Sequence, residues 1–190
     1  MPPENFRRMP RYIAFLRAIN VGGGRTIKMK ALRPPFELLG FSNVATFISS
    51  GNVLFETRTK SVKALEKKIE NRLREELGYG VATYIRTDTQ LARIARYKSF
   101  PQAKINDASE FNIILLSDKL GKRSRQKVME LKTDTNEIHV RGREIYWLRR
   151  KEKGKSTFST IPFEKVLGKR FTIRSAKTIK KMALKISGSK

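Results

Sequence analysis

The chain has no cysteine and a single histidine, His139. The first absence excludes disulfides, thiolate metal sites and a cysteine nucleophile. The second removes most imidazole chemistry, whether general-base catalysis or multi-histidine metal binding. Acidic residues are scarce as well, 17 Asp+Glu against 42 Lys+Arg. They are scattered, with Glu66, Glu70, Glu75 and Glu76 spread along one lysine- and arginine-rich stretch that reads as a solvated helix face. No carboxylate pair placed for acid–base work or for magnesium stands out. No apolar run approaches the roughly eighteen residues of a membrane helix, and the opening MPPENFRRMP lacks the apolar stretch of a secretory signal. These absences predict a cytoplasmic protein that needs no membrane, metal or cofactor. No catalytic constellation is identifiable, so whether the chain is an enzyme stays open, as does its oligomeric state.

What is abundant is positive charge, a formal +25 shared by both halves of the chain. A charge of that size concentrates polyanions near the surface, with RNA or DNA the obvious partner. It is equally compatible with a basic surface that serves solubility alone.

Apolar periodicity organises the chain into two rounds of the same order. Residues 11–17 (RYIAFLR) form a short apolar run that stops at a glycine cluster, the pattern of a buried strand. Met29, Leu32, Phe36 and Leu39 follow at helical spacing up to Gly40. The pair Pro34-Pro35 predicts either a kink or a helix that begins there. Residues 44–49 and 52–57 read as strands around Ser50-Gly51. Val62, Leu65, Ile69, Leu73 and Leu77 make one helical stripe closed by Gly78, and residues 81–86 (VATYIR) give a fourth strand before a helix capped by Asp88.

The order then returns with a strand at 111–116, a helix at 119–131, a hairpin at 137–140 and 144–148 around Gly142, a helix at 158–167 and a strand at 171–174. A basic terminal helix capped by Ser175 carries Ile179, Met182, Leu184 and Ile186. The predicted fold class is α+β, with two tandem ferredoxin-like (βαββαβ) halves, antiparallel sheets and an extra C-terminal helix. Residues 1–10 are an N-terminal tail, 11–97 the first half, 98–110 a connector and 111–190 the second half with the terminal helix.

The phrase from Tyr12 to Gly23 (YIAFLRAINVGG), followed by Ser50-Gly51-Asn52-Val53, resembles the bacterial family called domain of unknown function 1697. The likeness continues through residues 81–87, the strand at 144–146, Glu164-Lys165 before Leu167-Gly168, and Thr172-Ile173-Arg174, so it covers nearly the whole chain. Two features depart from it. Pro34-Pro35 interrupts a stretch that is an ordinary helix in the family, and Ser175 stands where the family has asparagine. The resemblance implies no particular activity, because the family carries no settled biochemical function.

In the predicted topology the first and second strands run the same way with the third antiparallel between them, so the loop after strand one and the 49–52 hairpin emerge at one end. That end gathers Arg17, Asn20, Gly22, Gly23, Gly24, Arg25 and Lys28 with Ser49, Ser50, Gly51 and Asn52. The set is rich in donors and holds no carboxylate, which suits an anion. The alternative is a tight turn in which Asn20 and Asn52 satisfy loop carbonyls. Neither a Walker A motif nor a dinucleotide Gly-x-Gly-x-x-Gly is present.

The matching end of the second half holds residues 117–123 (SDKLGKR) and the Arg141-Gly142-Arg143 turn, with Arg141 and Arg143 expected to contact a nucleic-acid backbone. Arg149, Arg150, Lys151, Lys153 and Lys155 form a basic loop able to follow a phosphate backbone, or else a solvated linker. His139 alternates away from Ile138 and Val140 and reads as structural or solvent-facing, while Tyr146, Trp147 and Phe15 read as core. The leading functional expectation is a nucleic-acid or polyanion-binding protein. The alternatives are an enzyme or binding protein for a small phosphorylated ligand held by the Gly22–Gly24 loop, and a protein-interaction module.

Overall fold

β1 (Arg11–Leu16) is buried along almost its whole length, as its unbroken apolar run requires. The computed structural model describes residues 9–19, 27–48, 50–150, 159–168 and 170–188. Together they form a mixed α+β chain with two four-stranded antiparallel sheets and, among the described residues, seven α-helices. The chain separates into two compact units, Met1–Asp88 and Thr89–Lys190.

In the first unit β2 (Ser42–Thr46), β3 (Asn52–Glu56) and β4 (Thr83–Thr87) join β1 in the order β2-β3-β1-β4. The proline pair does not kink a long helix. A 3-10 turn over Met29–Leu32 leads into α1 (Arg33–Leu38), whose first positions take Pro34 and Pro35, where a missing N–H costs nothing.

α2 (Val62–Leu77) is bounded as the sequence predicts. Ser61 Oγ accepts from the Ala64 amide at 3.3 Å, and Gly78 ends the helix at φ 75°. Leu65, Ile69 and Leu73 are fully buried against the sheet, in one core with Leu16, Phe36 and Phe55.

The charged side of α2 is not simply solvated. Glu66 Oε1 accepts the Ile85 amide at 3.0 Å and Glu70 Oε1 accepts the Thr83 amide at 2.9 Å. β4 is an edge strand, and the two carboxylates satisfy donors that a neighbouring strand would otherwise take.

The second unit repeats the strand order as β6-β7-β5-β8, with β5 (Glu110–Leu116), β6 (Asn136–Arg141), β7 (Glu144–Arg149) and β8 (Phe171–Ser175). α3 (Asp88–Arg96) falls almost wholly within this unit, consistent with the Arg143 side chain reaching Gln90. The segment read as a connector contains α4 (Gln102–Asn106).

α5 (Lys122–Met129) and α6 (Ile161–Leu167) cover one face of the sheet through Val128 and Phe163, against Ile114, Ile145 and Trp147. α7 (Ala176–Gly188) follows, and the Ser175 hydroxyl accepts the Thr178 amide at its start. Ile179, Met182 and Ile186 of α7 are buried, whereas Leu184 is 72% exposed. Leu184 lies five residues from Ile179, about 140° around the helix from it, so it leaves the core set.

Candidate anion-binding site

At the glycine-loop end of the first unit, Asn20, Gly22, Gly23, Gly24, Arg25 and Ser49 lie outside the described residues. The residues on either side of them bring the two signature segments together. Gly51 adopts φ +66°, and a Cβ there would stand 2.9 Å from the Cβ of Ile19, at the exit of β1. The Leu16 amide donates to the Gly51 carbonyl at 2.8 Å. Asn52 is fully buried, and its amide donates to the Phe47 carbonyl at 3.0 Å and to Ser50 Oγ at 2.9 Å. Those contacts match the loop-satisfying role for Asn52. Ala18 (φ 56°) and Ile48 (φ 48°) are left-handed, which is costly for a β-branched residue. Arg17 is half-buried near Tyr84, and Lys28 precedes the 3-10 turn as its cap.

Burial pushes the Tyr84 hydroxyl up to about 12. Arg17 opposes that shift, and the carboxylates of Glu70 and Glu66 add to it.

At the corresponding end of the second unit the structure gathers a set of cations. A cavity of about 430 Å³ is lined by Arg93 from α3, Lys119 from the loop after β5, and Arg141, Arg143 and Glu144 from the β6–β7 hairpin. Four cations face one carboxylate. Arg143 ties the wall together, donating through Nη1 to the Ser117 carbonyl at 3.1 Å and through Nη2 to Gln90 Oε1 at 3.4 Å.

Arg141 behaves differently. Its guanidinium lies 3.9 Å from the centre of the Tyr97 ring, a cation–π stack that holds the plane while leaving N–H donors for a ligand. Tyr97 is fixed in turn, its hydroxyl 2.8 Å from His139 Nε2 and its ring packed on Tyr146. His139 is therefore part of an aromatic cluster and not a free surface ring. Burial lowers its pKa first, and the charges of Arg125, Arg141 and Lys132 lower it further, so the imidazole is neutral at pH 7.

The basic loop is less available than its composition suggests. Arg149 is buried, its Nη1 3.9 Å from Glu110 Oε2. Arg150 pairs with Asp107 at 3.7 Å and with Glu137 at 3.4 Å. Glu137 also accepts from Lys104, and these cations hold its carboxyl below the usual range. Lys151, Lys153 and Lys155 lie outside the described residues.

Among the described residues no three of His, Asp and Glu converge as metal ligands, and no helix is long and apolar enough to cross a membrane. Sequence reasoning missed Arg93 and Tyr97. Only their helical spacing from Gln90 and Ile94 hinted that they would share a face with those two residues.

A family model matches residues 9–146, from just before β1 into β7. The chain belongs to that family, described as protein of unknown function (DUF1697). The matched span includes the hairpin cations Arg141 and Arg143 together with Arg93, Tyr97 and His139, and stops before β8 and α7. The chain is also similar in fold to a conserved bacterial protein from Streptococcus pneumoniae. That likeness has a TM-score of 0.70 and 22% identity, and covers 93% of this chain and 98% of the other. No curated protein matches the chain.

Proposed function

We propose that this member of the DUF1697 family is an anion-binding protein, built by duplication of a ferredoxin-like βαββαβ unit. Its primary ligand is a small phosphate-bearing molecule held at the hairpin end of the second unit. The observation that carries the reading is the placement of Arg141, stacked on Tyr97 and lining a cavity with Arg93, Lys119 and Arg143. Arginine supplies planar, paired donors that match phosphate oxygens, and a stacked arginine loses less freedom on binding than an extended one. The cavity volume falls within the range of small-molecule sites.

The duplicated architecture is supported by the repeated strand order and by equivalent hairpin bonds. Leu16 N donates to the Gly51 carbonyl in one unit and Leu116 N to the Arg143 carbonyl in the other. By that correspondence the glycine-loop end, with Arg17, Lys28 and Ser50, is a second and weaker anion site. The donor chemistry there names no catalytic group, so the proposal is binding and not turnover.

The formal +25 charge favours a second reading, contact with an RNA or DNA backbone. Calorimetric titration of the full chain with pyrophosphate and with single-stranded RNA, each at low and near-physiological salt, separates the two. The small-ligand reading expects saturable pyrophosphate binding that Arg141→Ala weakens about tenfold, the equivalent of about 1.4 kcal/mol. RNA binding whose log affinity falls steeply with log salt, with no pyrophosphate binding, would replace it by the backbone reading.

A further inference from the structure

A second cavity in the Thr89–Lys190 unit, of about 610 Å³, opens between the end of α3, the 98–105 segment, β5 and the start of α7. It shares only Ile94 and Tyr146 with the cavity at the hairpin end. Four aromatic rings line it: Tyr97 packed on Tyr146, and Phe100 edge to face with Phe111 at 5.8 Å. Ile113 and Ala176, both nearly inaccessible, complete an apolar floor.

The charges around this cleft are all of one sign. Arg96, Lys98 and Lys180 line it with exposed side chains, and no carboxylate lines it among the described residues. Among the described residues none of the three makes an ion pair. A further polar group is unused, since the Ser99 hydroxyl has no hydrogen-bond partner among the described residues.

We infer that this cleft binds a planar aromatic anion, a flat ring bearing a carboxylate or phosphate. An apolar slot with aromatic walls favours a flat ring, through stacking and through removal of apolar surface from water. Three lysine and arginine side chains with no competing carboxylate favour a negative substituent at its edge and disfavour a cationic one. An aliphatic acid would leave the four rings unused, and a neutral arene would leave the cations unused. Only a ligand with both features is complementary to the whole cavity.

The probes are 2-naphthoate, its neutral analogue 2-naphthalenemethanol, and acetate, each titrated into the full-length protein by calorimetry and by NMR. The expected result is saturable binding of 2-naphthoate at least tenfold tighter than of either comparison compound. The double reversal K98E/K180E should weaken it at least tenfold again, with an unchanged unfolding midpoint, because both lysines are exposed and make no ion pair among the described residues. Acetate binding as well as 2-naphthoate, or an affinity unaltered by the double reversal, would overturn the inference. Methyl resonances of Ile105 and Ile113, which line this cleft and not the hairpin-end cavity, shifting with 2-naphthoate place the ring here, whereas shifts confined to other regions would also overturn it.

Discussion

Arg86 and Arg174 occupy the same position in the two sheets. Arg86 lies opposite Ile13 on β1 and Arg174 opposite Ile113 on β5, and both arginines are buried. Arg174 donates to Thr172 Oγ1 at 2.9 Å and to the Ile173 carbonyl at 2.7 Å, and Arg86 donates to the Ile85 carbonyl at 2.9 Å. In each unit the guanidinium turns back on its own strand. Burial pushes Arg174 down to about 10, which still leaves it charged at neutral pH. Two buried cations at matching register positions join the hairpin bonds in support of a duplicated unit.

Glu66 carries structural weight that its place in a run of charges conceals. Glu66→Ala removes the carboxylate that accepts the buried Ile85 amide and should destabilise the protein by about 1–3 kcal/mol. Glu75→Ala, which loses only an exposed pair with Arg72 at 3.4 Å, should stay within about 0.5 kcal/mol of the parent. Urea unfolding of the two variants side by side checks the difference.

Gly51 and Gly78 both need a left-handed backbone, at φ 66° and 75°, but only Gly51 is crowded. Gly78→Ala should cost about 1 kcal/mol from backbone strain alone. Gly51→Ala must also push against Ile19 and should cost about 2–4 kcal/mol. Equal losses in thermal unfolding would mean that the exit of β1 does not press on the hairpin.

His139 is the chain's only imidazole, so its ring proton signals can be followed without ambiguity. Its folded pKa lies below the ordinary 6.5. The unfolded chain therefore takes up the proton first, and the stability His139 contributes is complete above about pH 6.5 and declines as pH falls through the folded value. Filling the hairpin-end cavity with pyrophosphate should raise that pKa, because the anion offsets the charge of Arg141. An NMR titration with and without pyrophosphate reads both effects, and a folded pKa above 6.5 would contradict them.

Tyr84 sets a corresponding limit on the alkaline side. With its hydroxyl pushed up to about 12, the folded protein keeps the proton after an unfolded tyrosine has lost it. Its contribution to stability is full below about pH 10 and is lost between about pH 10 and 12. Ultraviolet titration should show that Tyr84→Phe removes one late-ionising tyrosine.

The elements were legible where local signals agreed. Ser61 and Gly78 bracket α2, and Gly142 marks the second hairpin, because caps and left-handed turns are chemistry of the immediate neighbourhood. The site was legible only in part. Arg141 and Arg143 stand out in the sequence, yet nothing local says that Arg143 fastens Gln90 while Arg141 lies over Tyr97. Those pairings join residues more than forty positions apart and depend on how α3 returns to its unit. Glu66 and Glu70 misled because the amides that donate to their carboxylates belong to β4, a strand that begins after the helix has ended.

Trp147 is buried among Ile114, Ile145 and Phe163, and its indole N–H donates to Asn136 Oδ1 at 2.9 Å. It is the chain's one tryptophan and belongs to the Thr89–Lys190 unit. Indole emission is therefore a private thermometer for that unit, blind to the melting of Met1–Asp88. Set against circular dichroism, which sees all the helices, its midpoint reveals whether the two units come apart together or in turn.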